Sequence, residues 1–314
     1  MGECENYGVT ISRFGDVDVL DVAQSLPTPE IGDNDILLEV AFAGVNPVDY
    51  KTRQGLGWGA EKFKSQFPAV LGFDMAGVVA KAGANSGFAV GERVAALSFD
   101  GGGYSRYAKV DAALVARLPE NVSMQQAAAL PTVGVTAYQI IKQAKLQAGQ
   151  KVMLSAPAGG VGHILLQLLK QHDVEIVAIC SSAKKAWVEA QGVSEVVDYT
   201  AITTFPDVQA DLFIDLVGGD SGVQALAGVK AGGRVICVPS IHVPLLQEAG
   251  DARGLQVEKI LATPNAADLT ALLAMISNKT LQVDIAAIFA WHDLAIAHQQ
   301  LETGRTQGKL IIAL

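Results

Sequence analysis

Three glycines fall within four residues, Gly159, Gly160 and Gly162, and interrupt an otherwise apolar run, KVMLSAPAGGVGHILLQLLK (151–170). Against the G-x-G-x-x-G template, Gly159 and Gly162 take the second and third glycine positions and Pro157 the first. Glycine is needed where backbone approaches a pyrophosphate, and again where a helix packs tightly on a strand. The unpaired N–H groups and dipole at the start of the helix that follows would then stabilise phosphate charge. The same glycines could serve a tight strand–helix turn alone, but strand, corner, helix and second strand arrive in βαβ order.

The second strand ends in VAICSSAKKAW, with Cys180, Ser181, Ser182, Lys184 and Lys185 and no acid. A site for NAD usually places Asp or Glu about 20 residues after the glycines, on the ribose 2′-hydroxyl. A carboxylate about 5 Å from a 2′-phosphate would repel it by about 3 kcal/mol per unit charge at an effective dielectric of about 20. Hydroxyls and an ammonium reverse that sign, which corresponds to a preference of about a hundredfold. NADPH is therefore expected over NADH. The alternative is a solvated helical turn with two ordinary lysines, yet bases in a first turn oppose the helix dipole unless an anion lies nearby.

The elements that must position these residues follow from the rest of the chain. Its 314 residues, half of them hydrophobic, suffice for two domains. Up to about Gln126 the pattern is short strands and turns: DILLEVAFAGVNPVD, AVLGFDMAGVVAKAG, VGERVAAL and DGGGYSRYAKV. SMQQAAALPTVGVTAYQIIKQA then reads as helical, with Ser123 as N-cap. From Lys151, apolar strands alternate with helices, which implies a parallel sheet covered on both faces. Two helices, AADLTALLAMISN and LAIAHQQLETG, precede a closing strand, GKLIIAL.

Composition removes several function classes. The net charge of −9 is spread along the chain with no Lys/Arg run, so neither a nucleic acid nor an anionic membrane is an expected partner. Apolar runs break well short of about 18 residues, and MGECENYG carries acids where a leader would carry bases, so a cytoplasmic location is expected. Cys4, Cys180 and Cys237 are far apart, with no Cys-x-x-Cys, which argues against disulfides and a structural zinc lobe. Cys180 and Cys237 read as small buried hydrophobes. The five histidines form no recognisable triad.

Read together, GVNPVDYKTRQG (44–55), PAVLGFDMAGVV (68–79), GGGYSRY (101–107), AALPTVGVTAY (128–138), APAGGVG (156–162), SSAKK (181–185), VVDYT (196–200) and HQQLETGRTQGKLII (298–312) resemble the medium-chain dehydrogenase/reductase superfamily. The resemblance is to its zinc-free quinone oxidoreductase and enone reductase branch. It implies an α/β protein with a GroES-like β-rich substrate domain (1–126 and 264–314) and a doubly wound Rossmann domain (127–263), with substrate in the cleft. It implies that Lys184 and Tyr199 contact the 2′-phosphate, beside Ser181 and Ser182. Gly160 and Val161 would face the pyrophosphate, Thr136 would sit near the nicotinamide amide, and Val217 would be a further coenzyme contact.

Zinc-dependent relatives carry Cys where this chain has Asn46, Gly-His-Glu where it has Gly72-Phe73-Asp74, and a third ligand near Thr132, so no metal is expected. Without a Lewis acid, a conjugated acceptor, quinone or α,β-unsaturated carbonyl, suits hydride addition better than a simple ketone. The resemblance assigns catalysis to Asn46, hydrogen-bonding the developing oxyanion, and to Lys51, binding the nicotinamide ribose and passing a proton. Against this, Asn-Pro is an ordinary turn signal and a lone Lys is usually solvated. Tyr50 could line the pocket, and Asp74 is expected to make a structural hydrogen bond. GLGWGAEKFKSQF (55–67) and IHVPLLQ (241–247) read as pocket-lining loops, with Trp58 and Phe63 as an apolar wall or as loop anchors. LQVEKILA would be a sheet edge, and a homodimer pairing there is expected. Alternatives of other classes are an NADPH-binding redox sensor with little turnover and a zinc alcohol dehydrogenase.

Overall fold

The computed structural model describes residues 5–314, so Cys4 lies outside the described residues. The chain divides into two compact units, one made of residues up to Val135 with Thr263–Leu314, the other of Thr136–Ala262. The second junction falls at 262/263. The first falls at 135/136 rather than 126/127, because the helix Met124–Ala129 packs on the strands Asp35–Val45 and Asp74–Ala82 of the first unit.

The first unit is built on a seven-stranded sheet. Its order is Ile285–Ala290, Lys309–Ala313, Asp35–Val45, Asp74–Ala82, Arg93–Leu97 and Val115–Arg117, with Tyr107–Asp111 also paired to Asp35–Val45. All pairs are antiparallel except the first, which is parallel. Successive residues such as Ile36, Leu37 and Leu38, Met75 and Ala76, Val94, Ala95 and Ala96, and Leu310, Ile311 and Ile312 are buried, so the middle of this sheet is covered on both faces. A three-stranded sheet, Leu20–Leu26, Asn6–Ile11 and Ala69–Val70, completes the unit's strands.

The second unit holds a six-stranded, wholly parallel sheet ordered Glu195–Asp198, Val174–Cys180, Gln150–Ser155, Ala210–Asp215, Val229–Cys237 and Gln256–Lys259. Counted within the unit this is 3-2-1-4-5-6, the doubly wound order, with its switch point between Gln150–Ser155 and Ala210–Asp215. Met153, Val177, Phe213 and Val235 form its buried centre. Cys180 and Cys237 are buried and unbridged, and burial pushes their thiols up to about 11 and about 12, so both pack as inert hydrophobes.

Several local expectations are revised. The segment from Ser123 is two helices, Met124–Ala129 and Pro131–Ala144, because Pro131 has no N–H with which to continue the first. Ser123 does cap, its Oγ accepting from the Gln126 N–H while Gln126 Oε1 accepts from the Ser123 N–H. The stretch 55–67 contains a helix, Gly57–Phe63, and its Gly59 is a packing residue: a Cβ there would fall 2.0 Å from Thr52 Oγ1. The stretch 241–247 likewise runs into a helix, Val243–Asp251, with Pro244 in its first turn. Strand Ile285–Ala290 was not legible in the sequence. Among the described residues no helix is long and apolar enough to cross a membrane.

Candidate active site: a phosphate-receiving corner and a buried polar network

In the second unit, strand Gln150–Ser155 runs into the glycine corner and helix Gly160–Leu169 starts at once. The turn is strained at Ala156, a non-glycine residue with φ of 47°. At Gly162 a Cβ would lie 2.0 Å from the Ala156 carbonyl oxygen, so only glycine lets helix and strand close. At Gly159 the nearest atom to a Cβ would be 3.4 Å away, so nothing in the protein requires glycine there and the space above the turn is open. His163 N–H bonds back to the Gly159 carbonyl, whereas the N–H groups of Gly160, Val161 and Gly162 find no acceptor among the described residues. An open cradle ringed by unpaired amides fits a pyrophosphate.

Strand Val174–Cys180 lies beside the corner's strand and Glu195–Asp198 lies beside Val174–Cys180, all in parallel register, so their carboxyl ends share one end of the sheet. Ser181, Ser182 and Lys184 stand at the start of helix Ser182–Ala190, with Lys184 half-buried and Lys185 directed to Glu189 at 3.8 Å. Tyr199 is exposed, its N–H donating to the Cys180 carbonyl at 3.1 Å. Val217 is exposed after strand Ala210–Asp215, and Thr136 is nearly buried in helix Pro131–Ala144. Two residues missed from sequence hold the Val217 turn. Asp215, wholly buried, accepts from the Ser155 hydroxyl at 2.9 Å and from the N–H groups of Val217 and Gly218 at 3.0 Å. A third, Asp198, brings a carboxylate to Ser182 at 2.5 Å.

The first unit carries a different arrangement. Helix Pro47–Arg53 follows Asn46, whose N–H donates to Asp49 Oδ2 at 2.7 Å, closing the helix's first turn. Asn46 is wholly buried. Its Nδ2 donates to Asp74 Oδ2 at 2.9 Å and its Oδ1 accepts from Lys309 Nζ. Asp74 Oδ1 also accepts from the Thr132 N–H at 2.8 Å and hydroxyl at 2.6 Å. The Lys309 ammonium, buried, donates to the Val45 carbonyl at 3.0 Å and lies 3.7 Å from Asp74 Oδ2. Burial lowers its pKa against the opposing pull of Asp74 and Asp49. Asp74 thus makes the structural hydrogen bonds expected of it. Asn46, with its carbonyl on an ammonium and its amide on a carboxylate, ties the start of the helix to strands Asp74–Ala82 and Lys309–Ala313.

Lys51, on that helix, is half-buried, and no carboxylate pairs with its ammonium among the described residues. Burial lowers its pKa and so makes it a better proton donor near neutrality. Phe63 is in the core, whereas Trp58 is half-buried, with ring centroids 4.4 Å from Phe99 and 5.6 Å from Phe73. Phe63 is therefore the anchor, and Trp58 keeps a face toward solvent.

Two buried groups here oppose each other in pH dependence. Burial, with the Asp74 carboxylate nearby, pushes Asp49 up from 3.8 to about 7. Burial, with the Arg53 guanidinium beside it, pushes His298 down from 6.5 to about 3. Between about pH 4 and 7 the folded chain keeps a proton on Asp49 that the unfolded chain has lost, so stability falls as pH rises. Between about pH 3 and 6.5 the unfolded chain protonates His298 and the folded chain does not, so stability rises with pH. The denaturant midpoint of D49N is expected to climb more steeply with pH across about 4–6.5 than wild type, and that of H298Q to fall. Parallel profiles for all three proteins would refute both assignments.

A doubly wound parallel sheet with an anion-receiving corner at its switch point defines a dinucleotide-binding α/β protein. Residues 32–120 match the alcohol dehydrogenase GroES-like domain and residues 191–312 the zinc-binding dehydrogenase family. The 2-methylene-furan-3-one reductase of Solanum lycopersicum is 31% identical over 95% of this chain and 76% of its own. The chloroplastic NADPH-dependent alkenal/one oxidoreductase of Arabidopsis thaliana is 31% identical over 96% and 78%. The quinone oxidoreductase structure from Coxiella burnetii superposes with a TM-score of 0.92 at 33% identity, covering 99% of this chain and 100% of that one. The chain belongs to the medium-chain dehydrogenase/reductase superfamily.

Proposed function

We propose that the protein is an NADPH-dependent oxidoreductase that reduces quinones or the C=C bond of α,β-unsaturated carbonyls without zinc. The observation that carries this reading is the open corner at Gly159 with three unpaired N–H groups behind it. Gly159, Gly160, Val161 and Gly162 would hold the pyrophosphate, Lys184 and Tyr199 the 2′-phosphate, and Thr136 and Val217 the nicotinamide end. When bound, NADPH supplies a hydride.

The protein's own part is to balance the charge that the acceptor then carries. In an enone or quinone that charge spreads from carbon to oxygen, so a hydrogen-bond donor suffices where a simple ketone would call for a Lewis acid. Lys51 supplies the proton from its partly desolvated ammonium. Asn46, Asp49, Asp74, Thr132 and Lys309 hold the first turn of the helix that carries it. The zinc-free reading is supported by those contacts, because a divalent cation among Asn46, Asp74 and Thr132 would face the Lys309 ammonium.

NADPH oxidation followed by absorbance across quinones, enals, cyclic enones and saturated ketones tests the reading. Turnover with conjugated acceptors, unchanged by a chelator, is expected; turnover confined to saturated ketones, or lost on chelation, refutes it. We also assign homodimer pairing to strand Gln256–Lys259, which ends the six-stranded sheet with an open edge. Light scattering is expected to return twice the chain mass, and a monomer mass would remove that assignment.

A further inference from the structure

The coenzyme-choosing turn contains a carboxylate that a linear reading does not reveal. Asp198 ends its strand directly across from Cys180, the last residue before Ser181 and Ser182. Its Oδ2 accepts from the Ser182 hydroxyl at 2.5 Å, and its Oδ1 accepts from the Thr200 hydroxyl at 2.6 Å and the Thr200 N–H at 3.0 Å. The Ser182 N–H is also engaged, donating to Thr200 Oγ1 at 3.3 Å. These bonds hold the Asp198 carboxyl below the usual carboxylate range, with Lys185 adding a smaller attraction. Asp198 is therefore a charged acceptor, and the Ser182 hydroxyl, which also lies 2.8 Å from Thr200 Oγ1, has its hydrogen taken up within this Asp198–Thr200 cluster.

The chemical consequence separates the two coenzymes. A phosphate group needs donors and positive potential, so it gains nothing from a hydroxyl that offers only lone pairs and is repelled by the charge behind it. A ribose 2′-hydroxyl is itself a donor and finds acceptors at both Ser182 and Asp198. Lys184 still favours phosphate, and the two influences meet at one turn.

We propose that Asp198 is a specificity-determining residue that moderates the preference for the phosphorylated coenzyme, by engaging the Ser182 hydroxyl and placing negative charge near Lys185 at the same turn. The inference rests on the coenzyme reading above. Removing the charge returns the Ser182 hydroxyl to the incoming group and deepens the preference.

The test is direct titration of wild type, D198N and D198A with NADPH and with NADH, followed by calorimetry at low salt and again at about 0.5 M salt. In both variants the NADPH Kd is expected to fall about tenfold at low salt, with NADH within about twofold of wild type. The gain should shrink at high salt, as a screened charge effect must. An unchanged or weakened NADPH Kd in the variants, or equal tightening of both coenzymes, overturns the proposal while leaving the coenzyme site intact. Wild-type protein that binds neither coenzyme overturns the site and this proposal together.

Discussion

Replacing Lys309 with Met is expected to destabilise the protein by about 3–5 kcal/mol, the cost of leaving a buried carboxylate without its countercharge. Lys309 is 3% exposed and its ammonium meets the Val45 carbonyl, the Asn46 side chain and Asp74. Taking it away strands Asp74 and unlatches the residue that begins helix Pro47–Arg53. Chemical denaturation of K309M reads the loss. The double variant D74N/K309M, which removes both charges, is expected to recover more than half of it, because a neutral pair carries little of the penalty of one unpaired ion. A double variant no more stable than K309M would show that the ammonium acts through packing alone. In folded K309M protein, catalytic turnover is expected to fall about tenfold or more while the NADPH Kd stays within about threefold, since the lost contacts orient the helix of the proton donor.

The second large effect is at Lys51. K51M is expected to lower kcat by about 10²–10³-fold, the range over which a positioned general acid contributes. The side chain is only half-buried and pairs with no carboxylate among the described residues, so stability should change by less than about 1 kcal/mol. Steady-state kinetics on one enone and one quinone, with thermal melting as control, checks both halves. A K51M protein with kcat within about threefold of wild type would pass the proton-donor role to another group, with Tyr50 next to it the first to replace.

Much of this was legible in the chain. The corner was readable because pyrophosphate binding and close helix–strand packing both demand glycine at fixed spacing; Gly162 meets the packing demand, and Gly159 leaves open the space that the other would use. The parallel sheet was readable from continuous apolar strands, and Ser123 from its capping partner three residues on. Contacts made by distant residues were not. Asp198 lies 16 residues beyond Ser182 and meets it only because two parallel strands end side by side. Lys309, 263 residues from Asn46, is one residue of the closing strand GKLIIAL, and no local pattern there announces a buried ammonium. Glycine misled once: Gly57 and Gly59 read as loop, whereas Gly59 lets one helix lie against the hydroxyl of Thr52 on another.

The account stands most directly on calorimetric titration of the protein with NADPH, set beside NADH and the variant K184A. It predicts saturable binding of one NADPH per chain, tighter than NADH, and weakened about tenfold or more in K184A with NADH little changed. No heat of binding with NADPH, or NADH bound more tightly than NADPH in the wild-type protein, would contradict it.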